Sequence, residues 1–163
     1  MATNAAPTPT RTPVYLAVVW VLLLLLGLFF IFAPLSDLAA DFSVGLPTDH
    51  MGTFQSLAGA PWNTAKQNFP GVTNYINTLE VAYAFHELVF GILFILILIF
   101  PFRQRARWAW FACWAPELAN IAYMLSFGIH DPTIFVRSLI AAFTLPVLLL
   151  VSAPAFLLKA KEQ

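Results

Sequence analysis

Residues 14–33 run for 20 positions without a charge, and nearly all of them are apolar. A helix of that length is about 30 Å long, the thickness of one bilayer core. The pattern returns at 81–100, 108–127 and 134–157. Four such runs in 163 residues leave little chain for anything else. Charged residues make up only 10% of the sequence and hydrophobic ones 60%. Soluble domains carry about 25% charge, so the composition belongs with membrane proteins. The expected fold is all-α: one four-helix transmembrane bundle over residues 13–158, with the lipid bilayer as its first partner.

Punctuation between the runs supports this division. Pro13 and Pro34 bracket the first run, as proline does at helix starts and just past helix ends. A cleaved signal peptide is the rival reading, but its apolar region spans about 7–15 residues and no clean cleavage site follows here. Residues 1–12, rich in Pro, Thr and Ala, read as a disordered tail, and 159–163 as a second short tail. Residues 35–72 form the longest stretch outside the runs and are expected to be an outer loop. Within it, 61–69 is read as a short interfacial helix with Trp62 and Phe69 facing lipid. Thr73 is a candidate N-cap for the second helix and Pro101 its end. Gly128 suits the end of the third, and Asp131-Pro132 reads as N-cap and first residue of the fourth.

Charge sets an expected orientation. Arg11, Arg103, Arg105, Arg107, Lys159 and Lys161 fall on one side of the four runs, against Lys66 and Arg137 on the other. Basic residues accumulate on the cytoplasmic side. Both termini and the Arg turn are therefore expected in the cytoplasm, with the 35–72 loop outside. A bacterial inner membrane is the expected setting.

Function has to be sought among the few ionisable groups inside the apolar runs. Tyr83, His86, Glu87, Phe90, Gly91 and Phe94 share one helical face by their spacing, as do Trp110, Cys113, Glu117, Asn120 and Met124. A charge within the bilayer costs about 3 kcal/mol on insertion scales, so these groups should face one another and pair. His86 can pair with Glu117, Glu87 with Asn120, and Arg137 with Glu80 or Glu87. The candidate ligand-binding set is His86, Glu87, Glu117, Asn120, Tyr83 and Arg137. The bland alternative is a hydrogen-bond network that only fixes helix packing. Pro116 beside Glu117 frees the Ala112 carbonyl and should bend the third helix.

Several chemistries lose support. There is no basic patch of the kind that nucleic acid needs. Cys113 is the lone cysteine, which removes paired-thiol redox chemistry. No H-x-x-H or H-E-x-x-H spacing marks a metal site. Haem or pigment ligation through His86 is a minor alternative; a bis-His haem needs a second buried histidine and none is evident, so no cofactor is strongly implied.

The segment 100–110, Phe-Pro-Phe-Arg-Gln-Arg-Ala-Arg-Trp-Ala-Trp, resembles small bacterial four-helix membrane proteins of the DoxX-like kind. Phe-His-Glu-Leu-Val-Phe at 85–90 is similar to a second-helix segment of the EXPERA-type membrane domain. That second resemblance implies a lipophilic ligand held between helices by acids such as Glu87 and Glu117. The sequence leans towards a non-enzymatic membrane protein: an accessory subunit of a larger complex or homo-oligomer, or a binder of a lipophilic small molecule. The alternatives are an intramembrane enzyme that moves protons on a lipophilic substrate and a proton-coupled carrier.

Overall fold

The computed structural model describes residues 13–158, so both tails lie outside the described residues. Its elements are α1 (Val14–Ser43), α2 (His50–Ala58), α3 (Trp62–Asn68), α4 (Pro70–Ile97), α5 (Arg107–Ala112), α6 (Ala115–Tyr123) and α7 (Pro132–Leu157). No strand occurs among the described residues. Three helices are long and apolar enough to cross a membrane: α1, α4 with its π-helical extension to Phe102, and α7. They mark a membrane protein.

The first helix does not stop at Pro34. It continues for 9 residues beyond, with Pro34 buried inside it. A mid-helix proline leaves the carbonyl four residues back, here Phe30, without its usual donor. The bare Cα of Gly91 on α4 lies over that carbonyl. A Cβ built on Gly91 would meet the Phe30 oxygen and sit 2.8 Å from its carbonyl carbon. The two backbones thus meet at the carbonyl that Pro34 leaves without its usual donor. Proline on one helix and glycine on the other let α1 and α4 pack closely, antiparallel along their length. Asn77 donates to the Asp41 carbonyl at one end (3.1 Å), and the Trp20 indole donates to the Leu98 carbonyl at the other (2.8 Å).

The 35–72 stretch is accordingly less of a loop than its prolines suggest. It holds the last turns of α1, all of α2 and α3, and the start of α4. Thr73 lies within α4 and bonds back to the Phe69 and Pro70 carbonyls instead of capping. Trp62 is buried and donates to the Val44 carbonyl, so of the two residues expected to face lipid only Phe69 is exposed.

The segment 107–128 is not one helix either. Proline at 116 cannot donate to Ala112, and the chain breaks at Cys113 and Trp114 into α5 and α6. A π-helical turn, Met124–Gly128, follows. The whole segment still runs antiparallel to α7. The Trp110 indole donates to the Leu149 carbonyl (2.8 Å), and Asn120 Nδ2 donates to that of Ser138 (3.0 Å). Asp131 caps α7 as expected, its Oδ1 accepting from the Thr133 amide at 2.8 Å.

The dry core occupies one half of this arrangement. Leu23, Leu98, Ala109, Cys113 and Leu149 are fully buried there, with Phe94, Phe102, Trp110 and Phe156 around them. Arg103 lies over the Trp20 ring, 4.9 Å from its centroid, at the edge of this half. In the adjoining turn Arg105 adopts φ 56°. A side chain in that conformation costs about 1 kcal/mol, which glycine avoids. Arg105→Gly is expected to leave the melting temperature in detergent unchanged or slightly raised, because backbone and not charge fixes this turn.

Candidate functional site

The helices of the other half line a half-open cavity of about 400 Å³. It exists because the second and third apolar segments, neighbours in sequence, meet closely only beside the Arg turn, where α5 packs on residues 98–102. Farther along, α4 pairs with α1 and α6 with α7, and the space between is left open. Its apolar wall includes Phe29, Phe30 and Pro34 from α1, Phe90 from α4, Pro116 and Ala119 from α6, and Ala141 from α7. Its polar groups are Asp37, Asp49, His50, Tyr83, His86, Glu87, Asn120, Tyr123, Arg137 and Ser138.

Five of the six candidate residues therefore line one cavity: Tyr83, His86, Glu87, Asn120 and Arg137. Glu117 does not. It is buried in the first turn of α6, where a carboxylate suits the helix N-terminus, and its Oε2 has no hydrogen-bond partner. The expected pairings are not the ones formed. Asn120 is bonded to Ser138, not Glu87, because the cavity separates α4 from α6. Arg137 makes no ion pair among the described residues, since Glu80 is taken by His50.

His50 organises the polar end, and the sequence pattern missed it. Helix α2 brings the ring between α4 and α6, where it is almost fully buried. Gly52 makes the approach possible, because a Cβ there would strike the Asp131 carboxylate that caps α7. His50 Nδ1 donates to Glu80 Oε2 at 2.9 Å. Nε2 lies 2.9 Å from the Tyr123 hydroxyl, accepting from it when the ring is neutral and donating to it when charged. Phe127 packs against the ring in a tilted arrangement, 4.7 Å between centroids. Burial works against a charged imidazole, but Glu80 by hydrogen bond and charge, helped by Asp49 and Asp37, outweighs it and holds the pKa above the usual value.

The carboxylate fixes the proton on Nδ1 and so leaves Nε2 and the Tyr123 hydroxyl to exchange one. Tyr123 lines the cavity, so a carboxylate–imidazole–phenol chain ends at its wall. His86 is exposed, and the buried histidine is His50. Both its ring nitrogens are engaged, however, which leaves none for haem or metal. No group of three His, Cys, Asp or Glu side chains with metal-binding geometry occurs among the described residues.

No protein-family model, curated protein or solved structure matches this chain.

Proposed function

We propose that this protein binds a small amphipathic, lipophilic molecule within the membrane, in a cavity formed between the second and third of four transmembrane segments. One observation carries the reading: a cavity of about 400 Å³ whose walls are aromatic and aliphatic along its length and acidic, phenolic and imidazole at one end. Sites for drug-sized ligands combine an apolar lining with a few convergent polar groups in this way. Phe29, Phe30 and Phe90 would take the ligand's apolar body. Glu87, Asp37 and Tyr83 would take its polar head. The topology proposed with it puts both termini and the Arg turn in the cytoplasm and the polar end of the cavity in the outer half. The six-to-two division of basic residues supports that orientation.

The test is to fill the cavity. Ala33 also lines the cavity, and Ala33→Phe places a ring among Phe29, Phe30 and Phe90. Protein purified gently from its host membrane should release a lipophilic molecule, detected by mass spectrometry. The variant should retain at least about tenfold less, equivalent to ~1.4 kcal/mol. Equal recovery from both proteins sinks the proposal.

A second reading, intramembrane proton transfer on such a molecule, is favoured by the Glu80–His50–Tyr123 chain. A chain of this form can deliver or accept a proton at the cavity wall. Tyr123→Phe should then keep ligand retention and lose turnover, whereas a binder would show no turnover in either protein.

A further inference from the structure

A second, smaller pocket lies outside this cavity, around the end of α1. It measures about 330 Å³ and is bounded by Asp41, Phe42, Ser43 and Val44 of α1 and the turn after it, Trp62 and Lys66 of α3, and Thr73 and Asn77 of α4. Asp41 is only 4% exposed, and neither of its carboxylate oxygens has a hydrogen-bond partner. An ionised carboxylate without partners is among the costliest groups a fold can bury, and such groups are normally paired or bound to a cation. At the rim, Lys66 Nζ donates one bond to the Val44 carbonyl at 2.8 Å. An ammonium has three protons, so two remain for a ligand. Asp41 thus lines the pocket with a buried, unpartnered carboxylate, and Lys66 stands at its edge.

Position completes the argument. Trp20, with Arg103 over its ring, marks one membrane interface. Asp41 lies 21 residues farther along the same helix, about 31 Å at 1.5 Å per residue, which is one hydrocarbon core away. The pocket therefore sits at headgroup level on the opposite face. Phe42, Phe69 and Val72 stand exposed around it at 73%, 63% and 58%. These are apolar surfaces suited to acyl chains.

We infer that this pocket binds the headgroup of a zwitterionic phospholipid bearing a primary amine, with the ammonium on Asp41 and the phosphate on Lys66. A primary ammonium donates three hydrogen bonds and can satisfy both carboxylate oxygens. A trimethylammonium donates none, and a glycerol headgroup brings no positive charge. The order of preference is therefore phosphatidylethanolamine over phosphatidylcholine and phosphatidylglycerol. This site is separate from the larger cavity and does not depend on what that cavity holds.

The experiment is native mass spectrometry of the full chain in detergent, titrated with phosphatidylethanolamine, phosphatidylcholine and phosphatidylglycerol of identical acyl chains. Glycerophosphoethanolamine serves as the chain-free probe. Wild type should bind the ethanolamine lipid at least about tenfold more tightly than the other two. Asp41→Asn, which removes a buried charge and so should fold, should abolish that preference. Lys66→Gln, on the exposed side of α3, should weaken all three lipids while leaving their order intact. Equal binding of the three lipids by wild type overturns the proposal, as does an ethanolamine preference that survives Asp41→Asn. Binding of the chain-free probe as tight as that of the lipid overturns the assignment to a membrane lipid.

Discussion

Gly91→Ala is expected to destabilise the protein, reversing the usual sign of this substitution, and Gly91→Val to do so by about 3 kcal/mol. Alanine inside a helix is normally worth up to about 1 kcal/mol over glycine. Gly71, in the first turn of the same helix, has open space where its Cβ would go, and Gly71→Ala should show that ordinary gain. At Gly91 the new carbon would meet backbone: the Phe30 oxygen and, at 2.8 and 3.2 Å, the Phe30 carbonyl carbon and the Ile31 nitrogen. Backbone cannot rotate aside as a side-chain tip can, so α1 and α4 must separate. Separation also uncovers the Phe30 carbonyl, whose intrahelical donor Pro34 has removed. Overpacking alone costs about 1–3 kcal/mol, and the exposed carbonyl brings valine to the upper end of that range. Thermal melts in one detergent across Gly71→Ala, Gly91→Ala and Gly91→Val check the sign and the order.

His50→Ala is expected to cost about 3 kcal/mol at pH 6 and less at pH 9. Removing one partner of a buried charged pair leaves the other uncompensated, at about 3–5 kcal/mol. Glu80 keeps some access to solvent, its side chain being 15% exposed, so the lower end applies. The pH dependence follows from linkage. The His50 pKa is raised in the folded protein above its ordinary 6.5. The stability of the charged pair is therefore fully present below about pH 6.5. It is lost as pH rises through the folded-state pKa, which lies above 6.5. The gap in melting temperature between wild type and His50→Ala should narrow over that window. A gap constant from pH 5 to pH 9 would show that packing against Phe127, and not charge, is what His50 contributes.

Both predictions rest on features that sequence reasoning read differently. The apolar runs, the helix face carrying Tyr83 and Glu87, and the Asp131 cap were legible because period, length and capping chemistry are local properties. Pro34 was not, because proline ends helices more often than it sits inside them. Only the glycine on a distant segment makes the interior position tolerable. Reading Pro34 as a stop turned the last turns of α1 into loop and hid Asp37 and Asp41. They stand one turn apart on a face that continues the stripe of Leu23, Gly27 and Phe30. His50 was missed for a related reason. It lies in a short polar helix with no apolar period, and its partners Glu80 and Tyr123 are 30 and 73 residues away. Glu117 was drawn into the site by its spacing with Asn120. The break ahead of Pro116 places it in the first turn of α6, off the cavity wall.

The break at Cys113 and Trp114 has a consequence for how the chain is made. Three helices are apolar and continuous enough to cross a membrane. Residues 107–128 are not: they carry an acid, an amide and a proline in the middle and come in short helical pieces. On the four-span topology proposed above, this segment depends on its neighbours to stay in the bilayer. Its Trp110 and Asn120 bonds reach α7, and its Tyr123 bond reaches α2. Helix α7, synthesised after it, is thus what holds the third segment in place. Chains truncated before Pro132 should leave 107–128 accessible to water-soluble labelling reagents, while the helices synthesised before it are already protected.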